Sequence, residues 1–96
     1  MNKKIAFVCF GEINTPIDRL NMKHDEGLAV IKNLGYEVFD GGLVIDDPEY
    51  KTADAAVEKI IDKDFAALVV CVAGWVPTHA VVRVTDHFRH IPMLLW

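Results

Sequence analysis

The sequence lacks most of the features that mark membrane proteins, metal sites and nucleotide-binding sites. No apolar run approaches the roughly 20 residues that a membrane-spanning helix needs. Only two cysteines are present, and the sequence contains no Cys-x-x-Cys pair, no His-x-x-x-His pair and no carboxylate cluster with the spacing of a metal site. The Gly-x-Gly-x-x-Gly fingerprint of dinucleotide binding is also missing. These absences leave the loops of a small domain as the place to look for function.

An excess of basic residues is also lacking. The chain carries 14 acidic and 10 basic residues, for a formal net charge of −4. Such a chain has no electrostatic attraction for nucleic acid or for an anionic membrane, so neither is an expected partner. Cys9 and Cys71 lie in apolar runs, which predicts buried reduced thiols and a cytoplasmic protein. If the two runs are neighbouring strands, the thiols lie close together, and a bond between them stays open.

The order of apolar runs and amphipathic segments predicts one α/β domain over residues 1–96. Continuous apolar runs favour strands that are covered on both faces. The predicted strands are residues 5–10, 36–39, 65–72 and 91–96. Helices are predicted from Thr15, from Thr52 and over residues 78–89. The βαβαβαβ order gives a parallel sheet with strand order 2-1-3-4, in a flavodoxin-like or Rossmann-like three-layer sandwich.

Local signals set the expected ends of these elements. Thr15 and Thr52 are the expected caps of the first two helices, and Gly35 is the expected left-handed end of the first. Residues 40–42 are expected to end the second strand, and residues 43–51 to form a loop. The predicted buried stripe of the second helix is Ala55, Ala56, Val57, Ile60 and Ile61.

The predicted sheet is incomplete beside a five-stranded domain of this class. Without a final helix, one face around the third and fourth strands is expected to be uncovered. Met93, Leu94, Leu95 and Trp96 would then form an exposed apolar patch. We therefore expect a homodimer through this face, or a fragment of a longer protein.

Ligands of open parallel sheets bind beyond the carboxyl ends of the strands. Three predicted loops lie there: residues 11–15, 40–42 and 73–78. Trp75 is a candidate aromatic wall for a ligand such as a sugar, with Glu12 and Asn14 opposite it as hydrogen-bonding groups. The alternative is that Trp75 packs on its own loop and that the two polar residues are ordinary loop residues. His24, beside two acidic residues, is predicted to lie on a solvated helix face.

Cys9 supports a second hypothesis. It lies near the end of the first strand, where small flavodoxin-like IIB components of the phosphotransferase system carry a phosphorylated cysteine. Phe10 and Glu12 depart from the small, glycine-rich and serine-rich loop that cradles phosphate in such proteins. A phosphocarrier that uses Cys9 is therefore an alternative function.

Three segments resemble the N-terminal domain of L-fucose isomerase-like proteins, which are related to L-arabinose isomerases. They are residues 10–16, residues 73–78 and residues 92–96. The resemblance runs along essentially the whole chain and is strongest from Ala53 onward. It covers only the first part of such a protein, which continues through a second α/β domain and a catalytic domain.

The resemblance implies carbohydrate metabolism: aldose–ketose interconversion through an enediol, assisted by manganese or another divalent metal. The metal ligands of that family come from the later domains, so no cofactor and no catalytic residue is expected in this chain. The first domain is expected to close the sugar pocket of a neighbouring subunit, with Trp75 as the aromatic and Glu12 and Asn14 as weaker neighbours. The chain would then be a truncated domain, inactive alone. A third hypothesis is an excised or designed half-domain that only self-associates.

Overall fold

The computed structural model describes residues 3–75 and 77–96, so Met1, Asn2 and Val76, which belongs to the predicted loop 73–78, lie outside the described residues. The elements are β1 (Lys4–Gly11), α1 (Ile17–Asn33), β2 (Glu37–Ile45), α2 (Lys51–Ile60), β3 (Ala67–Val72), α3 (Thr78–Thr85) and β4 (Met93–Leu95). The four strands form one parallel sheet in the order β2-β1-β3-β4. This confirms the predicted α/β class, strand order and flavodoxin-like or Rossmann-like topology.

The two central strands are apolar because helices cover both of their faces. Ala6, Val8 and Phe10 of β1 pack on the side of α2 and α3. Phe7 and Cys9 point to the opposite side, where they pack with α1. This alternation is the period of two that a strand imposes on its side chains. The continuous apolar run of β1 therefore reports burial on both faces, as predicted.

The end predicted for β2 is wrong. The strand continues through Asp40, Gly41 and Gly42 to Ile45. Its pairing with β1 shifts register at this point, because Asp40 pairs with Phe7 and Gly42 pairs with Val8. Gly41 is the extra residue of this bulge, and Gly42 has a positive φ of 90°. The glycines at positions 41 and 42 predict the end of a strand, whereas in the structure they allow a bulge that keeps the strand paired.

The start of α1 also differs from the prediction. Thr15 was expected to cap the helix, but the helix begins at Ile17 with Pro16 as its N-cap, and no side chain caps it. The backbone N–H of Thr15 instead donates to the carbonyl of Glu12 at 3.0 Å, which closes a tight turn before the helix. The other end is as predicted, since Gly35 follows the helix with a φ of 93°.

Tyr50, rather than Thr52, is the N-cap residue of α2, and its side chain makes no capping bond. The carboxylate of Asp47 takes the capping role instead. The carboxylate of Asp47 accepts a bond from the backbone N–H of Lys51 at 2.6 Å and one from the hydroxyl of Thr52 at 2.5 Å. Thr52 lies inside the helix, and its hydroxyl also bonds to the backbone of Ile45 at the end of β2. Bonds from Thr52 and from the backbone hold the pKa of Asp47 below its ordinary value. The predicted loop 43–51 is thus shorter, and it is organised around this carboxylate.

Smaller differences affect the other elements. In α2, Ala53 is buried, whereas Ala55 and Ile61 of the predicted stripe are exposed. The helix α3 ends at Thr85, and a 3-10 turn over Asp86–Phe88 follows it. The strands β3 and β4 are shorter than predicted. Among the described residues, no helix has both the length and the apolar character needed to cross a bilayer.

The predicted apolar patch is exposed, but it does not lie on one face. β4 pairs Met93 with Leu68, Leu94 with Val69 and Leu95 with Val70. Because register partners share a face, Met93 and Leu95 lie on the side of α2 and α3, and Leu94 lies on the side of α1. These three side chains are between 40 and 74% exposed. The edge strand, rather than one sheet face, is therefore the uncovered element.

We predict that Asp47→Ala lowers the free energy of unfolding by about 1 kcal/mol, because the first N–H groups of α2 lose their acceptor. Chemical denaturation at neutral pH measures this change. Asp47→Asn is the matched control, since its amide oxygen still accepts a hydrogen bond, and it should lose less. Equal losses in the two variants, or no loss in Asp47→Ala, would contradict the assignment of Asp47 as the cap.

Candidate functional site

An open cleft of about 750 Å³ lies at the carboxyl ends of β1 and β3. Glu12, Asn14 and Trp75 all line it, so the structure brings the three predicted site residues together. From β1 the chain crosses to β2 on one side, and β3 lies on the other. The cleft thus occupies the position where strand order reverses, which is where open α/β sheets bind ligands. Residues 40–42, the second of the three predicted loops, lie within β2 and do not line the cleft.

The loop after β1 is held in place by close packing and by backbone hydrogen bonds. A Cβ atom on Gly11 would overlap a methyl carbon of Leu20, so the glycine lets α1 lie close to the strand end here. Beyond Gly11, the Asn14 amide donates to the Glu12 carboxylate at 3.1 Å. The N–H of Ile13 donates to the Asp46 carboxylate at 2.6 Å, which ties this loop to the one after β2. Glu12 and Asn14 are therefore presented as a fixed pair.

Trp75 lies in the loop after β3 and is 79% exposed. The alternative in which it packs on its own loop is therefore wrong. The base of this loop is fixed to the sheet, because the N–H of Ala73 donates to the carbonyl of Phe10 at 2.8 Å. An indole exposed along a cleft gives a flat apolar surface on which a ligand can stack.

Arg19 and Lys23 of α1 also line the cleft, although they are not among the site residues predicted from the sequence. Arg19 and Lys23 are one helical turn apart, so both side chains lie on the same face of the helix. Neither forms an ion pair with another residue of the described part of the chain. The four-residue spacing of Arg19 and Lys23 in the helix after the first loop is the sequence feature that could have placed both at the cleft. The cleft therefore offers an aromatic surface, a carboxylate–amide pair and two positive charges.

Few titratable side chains line the cleft. Among the described residues they are Glu12, Arg19 and Lys23, so Glu12 is the one carboxylate of that part of the lining. Within residues 3–75 and 77–96, no group of three or more histidine, cysteine, aspartate or glutamate side chains could hold a metal ion. The isomerase resemblance places the metal ligands of that family in later domains, so no residue of this chain is proposed to hold manganese.

Cys9, the candidate phosphocarrier residue, lies outside the cleft. Its side chain is fully buried and packs on the side of α1. A hydrogen bond to the Cys71 thiol and the burial of the side chain raise the pKa of Cys9. A buried thiol with a raised pKa is a poor nucleophile toward a phosphorylated partner.

The prediction that His24 lies on a solvated helix face is wrong. Its side chain is largely covered and connects α1 to β2. Its Nε2 lies 2.9 Å from the carboxylate of Asp40, and its Nδ1 lies 2.9 Å from that of Asp25. Both ring nitrogens can donate only when the imidazole is protonated. Burial lowers the pKa of His24, but the bonds to Asp40 and Asp25 outweigh it, and the pKa is raised. These contacts of His24 with Asp40 and Asp25, called the His24 clasp below, connect β2 to the helix that carries Arg19 and Lys23.

We predict that this clasp makes stability depend on pH. Because the folded protein raises the pKa of His24, its contribution is complete below the unfolded pKa and is lost as the pH rises through the folded pKa. Wild type should exceed His24→Gln in unfolding free energy by about 0.5–1 kcal/mol at pH about 5.5, and by less at pH about 9. The exposed His79→Gln is the control. A gap that is constant with pH would contradict the clasp.

Comparison with known proteins adds no family assignment to this geometry. No protein-family model matches the sequence, and no curated protein matches it.

Proposed function

We propose that the cleft between the β1 and β3 loops binds a sugar, and that the chain acts as the substrate-pocket and oligomerisation domain of a sugar ketol-isomerase-like protein. The observation that carries the proposal is the exposed Trp75 beside the Glu12–Asn14 pair in one cleft. Apolar faces of sugar rings stack on aromatic side chains, and carboxylate and amide groups bond to ring hydroxyls. The resemblance to the L-fucose isomerase-like N-terminal domain supports the same ligand class.

In this proposal the isolated chain binds sugar without converting it. General acid–base isomerisation needs a base and an electrophile placed on the reacting carbons, and the cleft offers Glu12 alone as a carboxylate. An assay of ketol isomerisation with manganese should therefore show no turnover of L-fucose or L-arabinose. Turnover by the purified chain would contradict this part of the proposal.

The alternative phosphocarrier function has less support, because Cys9 is enclosed by β3 and α1 and its pKa is raised. A Cys9→Ser variant distinguishes the two functions. Under the sugar-binding proposal it keeps sugar affinity, and the wild-type chain accepts no phosphoryl group from a phosphorylated carrier.

We predict saturable binding of L-fucose or L-arabinose with a dissociation constant of about 1 mM, typical of a small ligand in an open cleft. Trp96→Phe leaves Trp75 as the only tryptophan, so its fluorescence reports the cleft directly. Trp75→Ala should weaken binding about tenfold, measured by calorimetry, since the stacking surface is lost. Trp75→Phe should lose less, because a ring remains.

A folded Trp75→Ala variant, checked by circular dichroism, that binds as tightly as wild type would contradict the role of Trp75. Absence of saturable binding by wild type would contradict the proposed ligand class.

We also propose that the chain self-associates through β4. This strand is an edge of the sheet, and within the described residues it pairs only with β3. Beside it, Val30, Leu34, Leu94 and Trp96 line an apolar groove of about 130 Å³ between β4 and α1. A second copy related by a two-fold axis can pair β4 with β4 and cover both grooves.

We predict a dimer in analytical ultracentrifugation, and a shift of Leu94→Lys toward monomer by tenfold or more in dissociation constant, because a charge would be buried in the interface. Ile61→Lys is the matched control. It replaces a side chain of similar exposure at the end of α2, away from β4. A monomeric wild type at high concentration, or equal effects of both variants, would contradict the interface.

A further inference from the structure

Cys9 and Cys71 form a pair in the middle of the sheet. They are register partners on the adjacent parallel strands β1 and β3, and both point to the side of α1. Neighbouring strands lie about 4.8 Å apart, which is within the about 4.4–6.8 Å between Cα atoms that a disulfide spans. Both cysteines are free rather than joined in a disulfide. The sheet thus holds two thiols within bonding reach.

The two thiols differ in access. Cys9 is fully buried, whereas Cys71 is 9% exposed. Cys71 also lines a second open cleft, of about 250 Å³, together with Lys23, Gly27 and Trp96. A Cβ atom at Gly27 would lie 3.4 Å from the ring of Trp96 and 2.9 Å from that of Phe7, so glycine lets these rings approach the helix. A small reagent that enters this cleft reaches Cys71 and not Cys9.

The charges around the pair favour a thiolate at Cys71. The hydrogen bond from Cys9, followed by the positive charges of His24 and Lys23, lowers the pKa of Cys71 despite its burial. The bond to Cys71, burial and the negative charge of Asp40 raise the pKa of Cys9. Glu26 also lines the cleft and is the one carboxylate among its described lining residues. The thiol with access is therefore also the one whose deprotonated form is stabilised.

We propose that Cys9 and Cys71 form a dithiol site that reacts with low-molecular-weight disulfides, with Cys71 as the attacking thiol and Cys9 as the resolving thiol. The Cys71 thiolate attacks one sulfur of the small disulfide, the S–S bond breaks, and the first thiolate leaves and takes a proton from water. Cys9 then gives up its proton to solvent and attacks the Cys71 sulfur, which releases the second thiol. The pair loses two electrons and two protons, and the small disulfide becomes two thiols.

The product would be a covalent link between the two central strands. Both reacting thiols lie outside the Trp75 cleft, although Lys23 lines that cleft as well as the one at Cys71. The sugar-binding proposal and this one therefore rest on different reacting groups and can fail independently.

The test uses the reduced full chain and glutathione disulfide, followed by intact mass spectrometry. The expected product has lost two hydrogen atoms, with one bond that joins Cys9 to Cys71 in the peptide map. Cys9→Ser should accumulate one glutathione on Cys71, because resolution is blocked. Cys71→Ser should react at least tenfold more slowly than Cys9→Ser, since Cys9 is enclosed.

A measurement on the wild type covers the case in which a variant fails to fold. Brief alkylation of the native chain with iodoacetamide should label Cys71 before Cys9, and the preference should disappear in denaturant. Preferential labelling of Cys9, equal labelling of both, or no oxidation by glutathione disulfide while the denatured chain oxidises would overturn the proposal.

Discussion

The parallel pairing of β1 with β3 is the interaction on which the rest of the structure depends. Six consecutive register pairs join the strands, from Ile5 with Ala67 to Phe10 with Val72. Helices cover both faces, so most side chains of this pairing add apolar burial to its backbone hydrogen bonds. The same pairing places the loops after the two strands side by side, and it places Cys9 beside Cys71. The candidate binding cleft and the dithiol are therefore two consequences of one register.

The sequence predicts the central strands well and the edge strand poorly, for a physical reason. A strand buried on both faces must be apolar at every position, as residues 5–10 are, and that signal has few other interpretations. In β2 the glycines Gly41 and Gly42 suggested a turn. Their role depends on a neighbour: a Cβ atom at Gly41 would lie 2.7 Å from a methyl group of Val8 on β1. Only the paired structure distinguishes a bulge from a break.

The residues of the candidate site likewise divide into those that the sequence predicts and those that depend on the packing of the folded chain. Trp75, Glu12 and Asn14 could be predicted, because the strand order alone places their two loops together. Arg19 and Lys23 could not be assigned so easily, since their position depends on how α1 is rotated and how closely it approaches Gly11. The capping carboxylate Asp47 was missed for a related reason. Its acceptor role arises from a loop conformation that no local pattern specifies.

In the proposed function, the loops after β1 and β3 act as one binding surface. Backbone amide NMR of the labelled chain during a titration with L-fucose tests it most directly. We predict shifts that saturate together at residues 12–15 and 73–75 and at Arg19 and Lys23, while the amides of α2 and α3 stay unchanged. Shifts confined to one of the two loops, or centred on β4, would contradict it.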